Sequence, residues 1–124
     1  MDFKELRAFQ KSFQLAMDIF QLSKSFPKEE KYSLTDQIRR SSRSVSANIA
    51  EGYRKRRYTN HFISKLTDSD AKNSETNVWL EFSLECEYIN IETYNKQDSS
   101  YKCNFLIKHI IRCFKIKSFS WSIV

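Results

Sequence analysis

The stretch Leu34–Arg57, LTDQIRRSSRSVSANIAEGYRKRR, decides the fold of this chain. Apolar and small residues recur in it at steps of three or four, at Leu34, Ile38, Ser41/Ser42, Val45, Ile49 and Gly52. This spacing predicts a helix with one face against a core. Gly52 comes where the stripe ends, so we expect it to stop the helix in the left-handed conformation. The serines and alanines make the helix thin, which favours tight contact with a neighbouring helix or subunit.

The same stretch carries seven of the 21 basic residues of the chain, in two groups. The groups are Arg39, Arg40 and Arg43, beside or opposite the apolar stripe, and Arg54, Lys55, Arg56 and Arg57, which begin two positions after Gly52. Together they predict one basic surface for the phosphates of RNA or DNA. The alternative is a solvated face whose arginines pair with the acidic third helix of another subunit.

Composition favours helices and argues against nucleotide enzymes. The chain has 124 residues, one Gly and one Pro. This length suits a single domain, residues 1–124, that needs neither disulfides nor a metal. A single glycine cannot build the glycine-rich loops that hold nucleotide phosphates. We therefore predict no cofactor.

The compartment is predicted from what the sequence lacks. The three cysteines form no CxxC pair, and no secretory leader is recognisable at the N-terminus. No apolar run approaches the roughly 20 residues that cross a bilayer. We expect a soluble protein of the reducing cytoplasm, without a membrane partner.

The net charge of +6 is unevenly distributed. Residues 1–58 carry 13 basic and 7 acidic side chains, residues 59–97 carry 3 and 7, and residues 98–124 carry 5 and 1. Such asymmetry attracts a polyanion or joins complementary faces of identical subunits. The sequence alone leaves both possibilities open.

Periodicity along the chain predicts four helices. They run from about Phe3 to Ser23, from Leu34 to Gly52, from Thr59 or Asn60 to about Tyr88, and from Tyr101 to Lys115. The third is predicted to be continuous despite its polar middle, and residues 90–100 read as a polar connection. The fold class is therefore all-α, an antiparallel up-and-down four-helix bundle. Residues 116–124 form an atypical tail, in which residues 119–123 alternate apolar and polar side chains.

Large aromatic residues fall at helical spacing and are interpreted as core or subunit interface. They are Phe9, Phe13, Phe20, Phe62, Trp79 and Phe82. Aromatic residues make up 15% of the chain, more than a bundle of this size needs for its own core. This excess favours burial against another subunit.

Polar residues near the apolar stripe predict a structural network. Asn48 and Glu51 need hydrogen-bond partners there, and we predict a network that joins them to Arg39, Arg40 or the third helix, where Glu75 is the predicted member. No nucleophile or second carboxylate lies beside Glu51 in the sequence, so we predict no catalytic site. His109 and Cys113 are four residues apart, but two ligands are too few for a metal site.

Three motifs resemble a known family, the four-helix-bundle proteins encoded in intervening sequences of bacterial large-subunit ribosomal RNA genes. The motifs are FKELRAFQKSFQLA (3–16), FPKEEKYSLTDQIRRSSRSVSANIAEG (26–52), and NHFISKLTDSDAKNSET (60–76) followed by CEYI (86–89). Residues at positions that match the family pattern are Phe26, Pro27, Glu30, Leu34, Gln37, Arg39, Arg40, Ser44, Asn48, Ile49, Ala50, Glu51, Gly52 and Glu75. Ser33, in place of the usual glycine, and the sequence of residues 105–124 depart from it.

The resemblance implies a bundle that assembles into a ring-like homo-oligomer, commonly a pentamer, with no known enzymatic activity. The family is similar in fold to basic accessory proteins that assist the reverse transcriptases of diversity-generating retroelements. A reverse transcriptase or another protein is therefore an expected type of partner. We predict a non-catalytic homo-oligomer that binds RNA or DNA, with a structural or protein-binding scaffold as the alternative.

Overall fold

The computed structural model describes residues 2–97 and 104–113, and its regular elements are all helical. The α-helices are α1 (Arg7–Ser23), α2 (Leu34–Arg54), α3 (Thr59–Glu85), the short α4 (Ile91–Asn95) and α5 (104–113). Two 3-10 turns, Phe3–Glu5 and Lys28–Glu30, precede α1 and α2. No strand occurs in these two ranges, which confirms the all-α class. The predicted tail, 116–124, lies outside them.

Gly52 does not stop the second helix, and the prediction that it would is wrong. The helix continues to Arg54, and Gly52 has no positive φ. The glycine is instead needed for a close approach of two helices. A Cβ on Gly52 would lie 3.0 Å from Cβ of Lys65 on α3 and 3.4 Å from the ring of Phe62. Gly52 therefore marks a tight contact between α2 and α3.

The third helix is continuous through its polar middle, as predicted, and the reason lies in its buried face. Its buried residues repeat at steps of three or four, at Phe62, Leu66, Ser69, Asn73, Thr76, Leu80 and Ser83. Within the polar stretch, Ser69, Asn73 and Thr76 therefore form an inward-facing stripe, and the other side chains are exposed or half-buried. The helix ends at Glu85, three residues before the expected end, and Glu87 then adopts a left-handed φ of 62°.

The predicted polar connection contains the short helix α4, which the sequence reading missed. Asn90 caps it, since its side-chain Oδ1 accepts a hydrogen bond of 2.8 Å from the backbone N–H of Thr93. Asparagine is a favoured residue at this position because it satisfies an otherwise unpaired N–H group. The signal for the helix was present in the sequence.

The core consists of two apolar clusters. The first contains Ala8, Val45, Ile49, Phe62, Leu66 and Ile107. The second contains Leu15, Ile19, Phe26, Leu34, Ile38, Leu80 and Ile89. Helices α1, α2 and α3 contribute to both clusters, whereas α5 contributes only to the first. The molecule thus has two ends, each with its own apolar centre.

A belt of buried small polar residues lies along the helices between the two clusters. We call it the polar belt; it contains Ser12, Ser41, Ser42, Ser46, Ser69, Asn73 and Thr76. Its hydroxyls join helices: Oγ of Ser12 is 2.9 Å from Oγ of Ser46, and Oγ1 of Thr76 donates to Oγ of Ser41 at 2.8 Å. Ser69 donates to the backbone carbonyl of Val45 at 2.8 Å. These bonds satisfy polar groups that would be costly to bury unpaired.

The buried face of α1 differs from the aromatic face expected from the sequence. Its buried residues are Ala8, Ser12, Leu15, Ile19 and Ser23. Phe13 is 54% exposed and Phe9 and Phe20 are only partly buried, so a core position is wrong for Phe13. Phe82 of α3 is likewise 52% exposed. These aromatic residues were interpreted as core or subunit interface. For Phe13 and Phe82, only the subunit interface remains.

Candidate functional site

Arg39 and Arg43, two of the predicted nucleic-acid ligands, lie against α1. Nε of Arg39 donates a 2.8 Å hydrogen bond to Oγ of Ser23, and its guanidinium carbon lies 5.0 Å from the centre of the Phe20 ring. The guanidinium carbon of Arg43 is 5.9 Å and Nζ of Lys24 is 4.8 Å from the same ring centre. Cations near the face of an aromatic ring are attracted by its quadrupole. Three positive charges therefore surround Phe20.

Arg40, the third member of this group, is turned toward solvent. Its Nε lies 3.9 Å from Oδ1 of Asp36 one turn earlier on α2, and both side chains are well exposed. An exposed ion pair of this kind contributes little to stability. Arg40 therefore remains accessible at the surface of α2.

The second basic group, Arg54, Lys55, Arg56 and Arg57, surrounds the C-terminal end of α2. All four side chains are exposed. Arg56 lies 4.0 Å above the ring of Tyr53 and donates to its backbone carbonyl at 2.9 Å, while Arg54 lies 5.9 Å from the ring of Phe3. The two stacked guanidinium groups are held at the surface with a positive charge directed to solvent.

The structure does not bring the seven predicted residues into one cluster. Arg43 and Arg54 are eleven positions apart on one continuous helix, which corresponds to about 16 Å along its axis. Arg39, Arg40 and Arg43 lie beside the polar belt, and Arg54 to Arg57 lie beyond the first core cluster. The basic surface is therefore split into two groups with different surroundings.

The two ends of the molecule carry opposite charge. Residues 2–12, 46–66 and 104–113, around the first cluster, contain ten Lys and Arg against three Asp and Glu. Residues 15–38 and 73–97, around the second cluster, contain four Lys and Arg against nine Asp and Glu. We call these the basic end and the acidic end. Arg54, Lys55, Arg56 and Arg57 belong to the basic end.

The predicted polar residues make three separate contacts. Glu51 Oε2 accepts a 2.8 Å hydrogen bond from Nζ of Lys65, which links α2 to α3 as expected. Asn48 donates to the carbonyl of Ser44 in its own helix. Glu75 lies 3.3 Å from Nζ of Lys72, also in its own helix. The buried side-chain hydrogen bonds that join helices are those of the polar belt, which we did not predict from the sequence.

The Glu51–Lys65 contact shifts the ionisation of both groups. The hydrogen bond from Lys65 and its charge hold the pKa of the Glu51 carboxyl below the usual 4.5. The reverse interaction raises the pKa of Lys65 above 10.5. Both groups are therefore charged across the neutral range, which suits an ion pair and not a general base at Glu51.

Residues that would hold a metal do not assemble in the described ranges. No group of three or more His, Cys, Asp or Glu side chains with suitable geometry occurs there. Cys113 Sγ and His109 Nε2 lie 3.7 Å apart on α5, but they form a pair without further ligands nearby.

Two uncovered apolar surfaces lie on different sides of α2. A groove of about 400 Å³ between α1 and α2 is lined by Phe9, Phe13, Ala16, Met17, Phe20, Arg43, Ser46, Ala47 and Ala50. A second depression, of about 430 Å³, is lined by Glu30, Tyr32, Ser33, Leu34, Gln37, Trp79, Phe82 and Cys86. We call them the α1/α2 groove and the α3 patch. Small side chains from both helices shape the groove.

None of the helices in the described part of the chain combines the length and the apolar character needed to span a bilayer.

The comparisons with known proteins identify a family and a solved fold. A comparison with curated proteins finds no match. Among solved structures, a protein of unknown function from the S23 ribosomal protein family of Bacteroides thetaiotaomicron is similar to this chain with a TM-score of 0.77 and 34% identity. The match covers 85% of this chain and 95% of that one. The model of the 23S rRNA-intervening sequence protein family matches residues 4–110. The resemblance seen in the sequence motifs is therefore confirmed, and the chain belongs to the 23S rRNA-intervening sequence protein family.

Proposed function

We propose that this protein is a non-catalytic, homo-oligomeric four-helix-bundle protein of the cytoplasm that binds RNA or DNA through its basic end. One observation carries the proposal: ten basic and three acidic residues surround the first core cluster, and four of the basic ones follow one another at the end of α2. Lysine and arginine bind phosphate oxygens and release counterions from nucleic acid, which gives affinity without sequence readout.

The proposed architecture is a single antiparallel up-and-down bundle. Hydrogen bonds between α1 and α2 support it, because Ser12 is bonded to Ser46 whereas Ser23 is bonded to Arg39. A later residue of α1 is thus bonded to an earlier residue of α2, as expected for antiparallel helices. The bonds from α3 to α2 follow the same rule, with Lys65 on Glu51 and Thr76 on Ser41. This arrangement would place the C-terminal end of α2 beside the start of α1.

The basic end offers donors in a form that suits phosphate. Arg56 is stacked on Tyr53 and Arg54 lies near Phe3, so part of each side chain is already ordered. Less conformational entropy is then lost when the guanidinium binds a phosphate. Lys55 and Arg57 are exposed beside them and add charge. Arg39, Arg40 and Arg43 would contact the nucleic acid only if it is long enough to extend along α2 from the basic end.

The second candidate is an oligomeric scaffold without a nucleic-acid partner. The placement of Arg39 and Arg43 around Phe20 favours it, because these charges border an apolar groove that suits a protein surface. In this alternative the basic residues pair with acidic residues of another subunit, or the oligomer binds a reverse transcriptase or another protein. A pentamer is the assembly that the family resemblance favours for either candidate.

A pair of charge-matched variants tests nucleic-acid binding. The basic-end variant replaces Lys55, Arg56 and Arg57 with Gln, and the control replaces Lys28, Lys31 and Lys96 of the acidic end with Gln. Both lose three positive charges. Affinity for fluorescent single-stranded and duplex RNA and DNA is measured at 50 mM and 200 mM salt.

We expect wild-type binding to weaken as salt rises, and the basic-end variant to bind at least about tenfold more weakly than wild type at 50 mM salt. The control should stay within about twofold of wild type. Equal losses in the two variants would mean that only net charge matters. That result would remove the basic end as the binding surface, and wild-type protein without salt-dependent binding would remove the nucleic-acid proposal.

A further inference from the structure

The α1/α2 groove and the α3 patch are both too apolar for surfaces that face only water. Phe13 and Met17 of the groove are 54% and 42% exposed, and Phe82 of the α3 patch is 52% exposed. Val78, one turn before Phe82 on α3 and just outside the lining of the patch, is 46% exposed. Uncovered apolar surface of this kind marks an interaction site. Val78 and Phe82 are one helical turn apart, so they form a continuous stripe on the outside of α3.

The charges around these two surfaces have opposite sign. Lys24, Arg39 and Arg43 surround Phe20 at the groove. At the patch, Glu30 is a lining residue, and Glu81 and Glu85 are exposed on α3 next to Phe82 and one turn beyond it. A contact between two grooves would bring six cations together, and a contact between two patches would bring six carboxylates together. A contact between a groove and a patch pairs opposite charges.

We infer that copies of this chain associate through a heterologous contact, in which the α1/α2 groove of one copy receives the Val78 and Phe82 stripe of the next. This inference rests on the homo-oligomer of the proposed function and specifies its interface. Ala16, Ala47 and Ala50 leave room in the groove for a large side chain from the partner. Since each copy has one groove and one patch, repeated contacts of this type close into a ring or continue as a filament.

Complementation between two defective variants tests the inference. Phe13→Glu places a carboxylate in the groove, and Phe82→Glu places one in the patch. Each variant retains the other surface. Phe105→Glu is the matched control, because Phe105 is an exposed phenylalanine of α5, 72% accessible, outside both surfaces. Mass in solution is measured by multi-angle light scattering, and circular dichroism checks that each variant is helical.

We expect the wild type and Phe105→Glu to form the same oligomer, and Phe13→Glu and Phe82→Glu each to be monomeric alone. An equimolar mixture of the two monomeric variants should form a dimer and stop there, because only one intact groove and one intact patch remain for each pair. A second pair, Met17→Glu with Val78→Glu, should behave in the same way, which provides an independent test if one of the first variants fails to fold.

Three results would overturn the inference. Oligomers of wild-type size in either Phe variant would show that these surfaces do not form the interface, while the homo-oligomer itself would stand. Two monomeric variants that do not associate on mixing would show that the contact is not heterologous. A monomeric wild type would remove both the homo-oligomer and its interface, whereas nucleic-acid binding is measured separately with the charge-matched variants.

Discussion

The basic end and the acidic end have similar interiors and different surfaces. Val45, Ile49 and Leu66 fill the centre of one, and Ile38, Leu80 and Ile19 fill the centre of the other, all fully buried aliphatic side chains or nearly so. Around these centres the balance of charge reverses, from ten basic and three acidic residues to four and nine. The interior explains how the helices pack. The surface difference needs another cause.

Helix stability supplies only part of that cause. Negative charge is favourable at the start of a helix and positive charge at its end. α2 follows this rule, with Asp36 in its first turn and Arg54 in its last. α3 has no acidic residue in its first turn and no basic residue in its last, and α1 has no acidic residue in its first turn. Interactions of charged residues with the helix dipoles therefore account for only part of the charge difference between the ends.

The largest expected effect comes from creating a cavity in the core at one end or the other. Ile49→Ala in the first cluster and Ile38→Ala in the second each remove a fully buried side chain. We expect each to lower the free energy of unfolding by about 2–5 kcal/mol. Urea unfolding followed by circular dichroism should show one transition in both variants, since α1, α2 and α3 run through both clusters.

Ile91→Ala is the control for this pair, because Ile91 is 56% exposed. Its effect should stay within about 0.5 kcal/mol. Separate transitions for the two ends, in either cavity variant, would contradict a single cooperative unit and would show that the polar belt divides the molecule into two folding units.

A smaller effect is expected from the polar belt, which joins the two ends. Thr76→Val keeps the shape of the side chain but removes the 2.8 Å hydrogen bond to Oγ of Ser41, whose remaining partner is the backbone carbonyl of Ile38 at 3.3 Å. We expect a loss of about 0.5–1.5 kcal/mol in the free energy of unfolding, because one buried hydrogen bond between helices is lost. Thr67→Val is the matched control on the same helix, since Thr67 is exposed and bonds only to the preceding turn in the contacts described. Similar losses in both variants would mean that helix propensity, and not the belt, causes the effect.

The smallest effect is expected at the ion pair between Glu51 and Lys65, at the basic end. Glu51→Gln should lower the melting temperature at pH 7 by less than Thr76→Val does, because exposed ion pairs are weak. The folded-state pKa of Glu51 lies below 4.5, so its contribution is present above that pH and lost as the pH falls through the folded-state value. The raised pKa of Lys65 means that the contribution is also lost as the pH rises beyond 10.5.

Melting curves of wild type and Glu51→Gln from pH 3 to pH 11 check this prediction. The difference between them should be constant near neutrality and should shrink at both extremes. A difference that does not shrink as the pH falls from 4.5 to 3 would show that Glu51 acts by packing and not by charge. Glu75→Gln provides a comparison, since Glu75 pairs with Lys72 inside a single helix.

The sequence predicted the helices well because their period is strong, but it misplaced faces. α1 carries two overlapping stripes, one through Phe13 and one through Leu15 and Ile19, and hydrophobicity favours the aromatic stripe. The structure buries the other stripe, in which Ala8 and Ser12 allow the helices to approach closely. The small size of the side chains, and not their hydrophobicity, therefore determines which face of α1 is buried. Gly52 was predicted to end the helix, but it allows a close contact between α2 and α3 instead. Glycine is common in both situations, so the sequence alone did not distinguish them.

The candidate site could be predicted in composition but not in arrangement. The arginines of α2 are recognisable in the sequence, and so is the basic run at 54–57. Their separation follows from the eleven positions between Arg43 and Arg54 on one helix, whereas no local pattern shows that Arg39 and Arg43 contact Phe20 of α1. The α1/α2 groove and the α3 patch could be found only after the buried face of each helix was known.

The polar belt also limits how the helices can align. Aliphatic side chains pack acceptably in several alignments, so sliding α3 by one turn along α2 would still bury much of the same hydrocarbon. The hydroxyl of Thr76 would then miss Ser41 and keep only its bond to the Lys72 carbonyl of its own helix. Ser69 would lose its bond to the carbonyl of Val45, at about 1–3 kcal/mol for a buried polar group left unpaired. The belt therefore separates the native alignment from its shifted competitors by an energy gap that the apolar clusters alone would not provide.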